Sequence, residues 1–247
     1  MTQESFVLFY ILLFIVAFLY ASVGHGGASG YLALMAIFAI SPTIMKPTAL
    51  LLNLFVSSTS FIQFYRGKHF KFNIFWPFVL ASIPMSFIGG MMVIESFIYK
   101  KILGILLLIP ILRFFFFRDT EKQNLKPSKI TISFLLGGVI GLLSGMIGIG
   151  GGIILSPILL LLKWTDQKQT AAISAAFIFV NSVSGLTGQL TKGFEFNNYM
   201  LNYVAVAFAG GMLGAYFGAL KFEQKILKNV LASVLALAAF KLLFTHA

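Results

Sequence analysis

The stretch GMIGIGGGIILSP, Gly145–Pro157, decides how this chain is read, and the shorter GHGGASGY, Gly24–Tyr31, echoes it. Gly148, Gly150 and Gly151 fall 124 positions after Gly24, Gly26 and Gly27, about half of the 247-residue chain. Each copy follows an apolar segment long enough to cross a bilayer and precedes one that is too short. Glycine-rich backbone at membrane depth leaves amides without helical partners, and lipid cannot satisfy them. Such backbone survives only inside protein or beside a water-filled cavity. Matched interruptions in two halves of a chain are the usual sequence pointer to a transporter's binding site. The expectation is an integral membrane transporter.

Composition points the same way. Hydrophobic residues make up 59% and charged ones 10%, against roughly 45–50% and about 25% in soluble domains. Apolar runs recur along the whole chain and leave no segment for a soluble domain. The net charge of +11 comes from basic residues set singly between those runs, as membrane orientation requires, so no nucleic-acid partner is expected. Without cysteine there are no disulfides or thiolate metal sites. The first segment has no Lys or Arg before it and carries Glu4, which favours a retained transmembrane helix over a cleavable signal peptide.

Ten apolar elements are predicted. They are Glu4–Ser22, Ser29–Ser41, Pro47–Tyr65, Ile74–Ile94 and Lys100–Phe117, then Ile130–Ile147, Gly151–Lys163, Gln169–Leu190, Asn197–Leu220 and Ile226–Thr245. The second and seventh are short, near 20 Å at about 1.5 Å per residue. The polar stretch RDTEKQNLKPSK divides the chain into a first membrane repeat at 1–117, a cytoplasmic linker at 118–129 and a second repeat at 130–247. The halves match beyond the glycines. Arg66-Gly67 with Phe70-Lys71-Phe72-Asn73 returns as Lys192-Gly193 with Phe194-Glu195-Phe196-Asn197, and Lys101-Ile102-Leu103 as Lys225-Ile226-Leu227. With all ten elements crossing and the N-terminus outside, only Lys46, Lys100, Lys101, Lys192 and Lys241 lie outside and the other thirteen basic residues lie inside. Re-entrant short elements give a far weaker asymmetry, so the positive-inside rule selects ten crossings. Five crossings per half is odd, so the second half is inserted upside down. The fold class is an all-α polytopic membrane protein of two inverted repeats, the second element of each short or broken.

The acidic residues Glu4, Glu95, Asp119, Glu121, Asp166, Glu195 and Glu223 all fall at termini, loops or segment ends. No carboxylate sits inside a crossing element to hold a sodium ion or an organic cation. Donors for an anion are present instead. The amides of Gly24, Gly26 and Gly27, and of Gly148, Gly150, Gly151 and Gly152, open onto short helices whose N-termini carry unpaired N–H groups and about half a positive charge. The third element adds Asn53, Ser57 and Ser60, with Ser58, Thr59 and Gln63 nearby; the eighth adds Asn181 and Ser184, with Ser182, Thr187 and Gln189. Polar stripes at helical spacing within apolar spans face the protein interior. Together these form a neutral, donor-rich cage for a small oxyanion. His25, whose counterpart is Ile149, donates to that anion or couples a proton to its movement.

Each signal also has a plain structural reading. Membrane serines often bond only to a neighbouring helix, and glycines near a helix start also allow close packing. Small residues spaced by four, Ser82, Ser86 and Gly90, Gly137, Gly141 and Gly145, and Gly210, Gly214 and Gly218, read as tight helix–helix faces. No Cys nucleophile, metal-ligand His pair or nucleotide loop in a strand–turn–helix context is present, so no enzyme, metal or cofactor is expected. The partners are the lipid bilayer, a small anionic substrate, a coupling proton and, in a homodimer, a second copy of the chain. A passive anion channel shares every binding feature and stays open as the alternative. A membrane-embedded enzyme has only His25 to work with.

The doubled motif, SGMIGIGGGIILSPILLLL at 144–162 and SVGHGGASGYLALMAIF at 22–38, resembles the sulfite exporter TauE/SafE permease family, as do the basic-Gly-x-Phe turns after the third and eighth elements. The resemblance covers nearly the whole chain. It implies a prokaryotic inner-membrane carrier that exports small sulfur-containing or organic anions such as sulfite or sulfonates. The first motif departs from the family's glycine-richer pattern by carrying His25, Ala28 and Ser29, and by having Ala33 where Pro157 stands in the second.

Overall fold

The computed structural model describes residues 3–22, 26–116, 125–194, 198–218, 239–240 and 243–244. Among these the chain is entirely helical: α1 (Gln3–Ser22), α2 (Ala28–Ile37), α3 (Pro42–Arg66), α4 (Phe72–Met91), α5 (Ser96–Phe116), α6 (Ile130–Ile147), α7 (Gly152–Leu161), α8 (Gln167–Leu190) and α9 (Asn198–Gly218). The tenth predicted element, Ile226–Thr245, lies outside the described residues except at 239–240 and 243–244, both helical. α3, α4, α6 and α8 are long and apolar enough to cross a bilayer. α1, α5 and α9 are of similar length, at 20, 21 and 21 residues. α4 and α6 turn Leu80, Ile88, Leu135 and Val139 outward, a surface that lipid tolerates and water does not. This is a multi-pass membrane protein.

One boundary is corrected in a way that matters. The third element begins at Pro42, not Pro47, with Pro at the helix start and Pro47 inside the helix. A first-turn Pro is tolerated because its missing N–H has no helical partner anyway. Lys46 therefore leaves the outer loop assigned to it by sequence and lies buried in α3. Pro84 and Pro157 likewise sit inside continuous helices.

Small residues set the helix pairs. A Cβ on Gly137, Gly141 or Gly145 would collide with the carbonyls of Phe78, Ser82 and Ser86, and one on Gly210 or Gly214 with those of Phe14 and Phe18. Backbones thus meet without intervening side chains along α4–α6 and α1–α9, where dispersion replaces the hydrophobic drive that lipid removes. α4 packs on α6 and α8, α9 packs on α1 and α3, and α3 meets α8 along a central seam. Leu50 abuts Gly185, while Asn53 and Ser57 reach the Ile178–Ser182 turn. That order makes α3 and α8 antiparallel.

Candidate functional site

Both short helices begin at a left-handed glycine. Gly27 precedes α2 with φ 86°, and Gly151 precedes α7 with φ 77°. Gly148, which ends α6, and Gly150 have φ 91° and 70°. Only glycine adopts this region without a Cβ penalty, so the run of glycines is what lets α6 stop and α7 restart within four residues. Neither short helix has a side-chain cap at its start. Each is only about 15 Å long at about 1.5 Å per residue. The two N-termini are buried rather than set in lipid, and nearly all of α2 is buried too. Hydroxyls pin the turns from behind: Tyr20 Oη with Ser29 Oγ at 2.7 Å, Tyr99 Oη donating to the Ile147 carbonyl at 2.7 Å, and Ser156 Oγ with Ser174 Oγ at 2.8 Å.

The turns converge on one side chain of α8. A Cβ on Gly26 would lie 3.1 Å from both Cδ1 and Cγ2 of Ile178, and one on Gly150 would lie 2.8 Å from Cγ2. A Cβ on Gly152 would collide with Ile178 as well. Two helix N-termini, each worth about half a positive charge, thus meet within the width of an isoleucine. The walls are polar. The Gly150 Cβ position is 2.7 Å from Asn53 Nδ2 and 3.3 Å from Ser182 Oγ, and the Gly26 position is 3.5 Å from Ser57 Cβ.

Asn53, Ser57 and Ser182 are each fully buried, and Asn53 Nδ2 and Oδ1, Ser57 Oγ and Ser182 Oγ have no hydrogen-bond partner among the described residues. A helical Ser or Thr readily bonds back to its own helix. Ser58 does so to Phe55, Thr59 to Val56 and Thr187 to Val183, each at 2.8 Å. Leaving a buried polar group unpaired costs about 1–3 kcal/mol. Four such atoms lie near the two turns, which makes this the candidate place for a polar guest.

The structure brings together Gly26, Asn53, Ser57, Gly150 and Gly152. Gly27 and Gly151 shape the turns, their Cβ directions blocked by Tyr31 and by Ile140 and Phe177, while Gly148 lies on the Lys46 backbone. Asn181 and Ser184 are bonded to the scaffold through one atom each, and Asn181 Oδ1 stays buried without a partner among the described residues. Asn181 Nδ2 donates to the Phe177 carbonyl at 2.9 Å, and Ser184 Oγ to the Ile83 carbonyl at 2.6 Å. Gln189 is buried with an unpartnered Nε2, about 10 Å along α8 from Ser182 at 1.5 Å per residue. Gly24 and His25 lie outside the described residues.

Ile178 and Lys46 escaped the sequence reading, and Ser182 entered it only as a neighbour of the stripe. Lys46 stands seven residues before Asn53 on the same face of α3, the one signal that pointed to it. Its Nζ donates to the carbonyls of Gly89 (3.2 Å), Gly90 (3.1 Å) and Met92 (3.1 Å) at the end of α4. The ammonium thereby meets the negative end of that helix dipole.

The profile of the family described as sulfite exporter TauE/SafE matches residues 9–242. A probable membrane transporter protein of Sinorhizobium fredii is 32% identical over 95% of this chain and 96% of its own length. One of Bacillus subtilis is 28% identical over 96% and 100%, and one of Methanocaldococcus jannaschii 33% identical over 61% and 58%. No solved structure matches.

Proposed function

We propose that this chain, which belongs to the sulfite exporter TauE/SafE family, is a secondary transporter that exports small sulfur-containing or organic anions, such as sulfite or sulfonates, across a prokaryotic inner membrane. One observation carries the reading: two uncapped helix N-termini meet beside the unpartnered Asn53, Ser57 and Ser182. Main-chain N–H groups at both termini would hold the anion's oxygens, with the Asn53 amide and the two hydroxyls as further donors. None of these groups carries a full charge, so binding is specific and release stays within reach.

Alternating access has a natural seam. α6 and α8 pack with α4 and α7 packs on α8, while α1 and α3 pack with α9 and α2 packs on α1 and α3, so each bundle joins three helices of one half to the fourth of the other. The exchange is reciprocal at the 124-residue offset, and α3 and α8 are antiparallel; both support inverted repeats. The bodies that rock are then these exchanged bundles rather than the sequence halves at 1–117 and 130–247. They would move about the α3–α8 contact, on which the site lies. Lys46, anchored in one bundle and bonded to α4 of the other, would latch the present arrangement.

The test is flux through the purified chain in liposomes. Uptake of labelled sulfite that saturates, and that unlabelled sulfite on the far side accelerates, is the expected result. Flux without saturation or counterflow would identify a passive channel. A thermal-shift panel of sulfite, sulfate, thiosulfate, sulfonates and carboxylates would rank the cargo.

A further inference from the structure

Ile178 is an apolar side chain set beside the open polar atoms of Asn53 and Ser182. Its side chain abuts Gly26 before α2 and both Gly150 and Gly152 around the start of α7. Three glycines from two separate turns therefore depend on the volume of one residue. Ile178 is buried and sits one helical turn before Ser182, whose hydroxyl flanks the same Gly150. An anion held by the two N-termini, Asn53 and Ser57 would bring its non-anionic end against this branched four-carbon group. The glycines lack a Cβ that would compete for the same space, so among the described residues Ile178 is the aliphatic side chain that fills it at both turns.

We propose that Ile178 is the specificity-determining residue of this transporter, setting how large a tail the anion's head group may carry. The inference rests on the anion-transport reading above. It adds that the donors select the head group while one aliphatic side chain selects size. β-branching holds the χ1 angle of Ile stiff, which suits a fixed size limit better than a flexible Leu or Met.

The test uses liposomes containing the full-length wild type, Ile178→Ala and Ile178→Phe. Flux of labelled sulfite is measured against competition by methane-, ethane-, propane- and butanesulfonate. Ile178→Ala removes three carbons and should improve competition by butanesulfonate relative to methanesulfonate by about tenfold or more, the discrimination that a methylene group or two commands in an apolar pocket. Ile178→Phe should move the ratio the other way. Ile178→Val, which removes one carbon, should shift it in the direction of Ala by a smaller step, and keeps the test available if Ala does not yield monodisperse protein. A packing role alone would lower thermal stability while leaving the order of competitors unchanged. Wild type that carries sulfite, with all variants keeping its competitor ranking, overturns the inference and leaves the transport reading standing. Wild type that carries neither sulfite nor any sulfonate overturns both.

Discussion

α3 and α8 face each other at the centre of the protein with similar polar inventories, yet they use them differently. On α3, Lys46 apart, the inward polar atoms are left open: both ends of the Asn53 amide, Ser57 Oγ and Ser60 Oγ have no partner among the described residues. On α8 most are committed to the scaffold. Ser174 bonds Ser156 on α7, Ser184 bonds the Ile83 carbonyl, the Asn181 side-chain nitrogen bonds its own helix, and the Asn181 backbone carbonyl accepts from Ser86 Oγ at 2.8 Å. Asn181 Oδ1, Ser182 Oγ and Gln189 Nε2 have no partner among the described residues, and of these Ser182 Oγ flanks Gly150. In lipid a polar stripe can serve either as glue between helices or as a lining for cargo. Only the partner list separates the two. On the reading proposed above, α3 would supply more of the lining, and α8 would combine interhelical bonds with Ile178 and Ser182 beside the turns.

The most damaging way to break this contrast is to drive the second turn into α3. Gly150→Val adds a branched side chain at φ 70° against Asn53, Ile178 and Ser182. Liposome uptake should fall to background while size-exclusion profiles remain monodisperse; normal uptake would remove the turn from the site. Asn53→Ala comes next. Loss of an amide that donates to a charged guest, worth about 1.5–3 kcal/mol, should raise the apparent sulfite constant by roughly 10- to 100-fold. Asn181→Ala should raise it less than about threefold, and equal effects would erase the distinction between the two helices.

Lys46→Met removes the three bonds that tie α3 to the end of α4. It should change the maximal exchange rate by about threefold or more, because it biases the populations of two states, while the apparent sulfite constant stays within about twofold. A large change in that constant at constant rate would place the ammonium in the cargo site. The smallest effect is expected for Ser184→Ala. One buried hydrogen bond, about 1 kcal/mol, should lower the melting temperature by a few degrees at most without changing sulfite affinity.

Much of this was written in the chain itself. Apolar run lengths determined the membrane class and placed the described helices, with ends that shift by up to several residues, because a bilayer imposes one length and demands internally satisfied backbone. Glycine spacing determined where α6 stops and α7 begins, and which helix faces meet, since no other residue can take those φ values or allow those approaches. Tertiary structure alone decided which polar residues remain open. Asn53 and Asn181 look alike in sequence, yet Asn181 Nδ2 bonds back to its own helix while Asn53 Nδ2 has no partner among the described residues. It also decided that Lys46 is buried, that Ile178 lies between the two turns, and that helices are exchanged between the sequence halves. Those facts depend on contacts between residues far apart in the chain, to which local periodicity is blind.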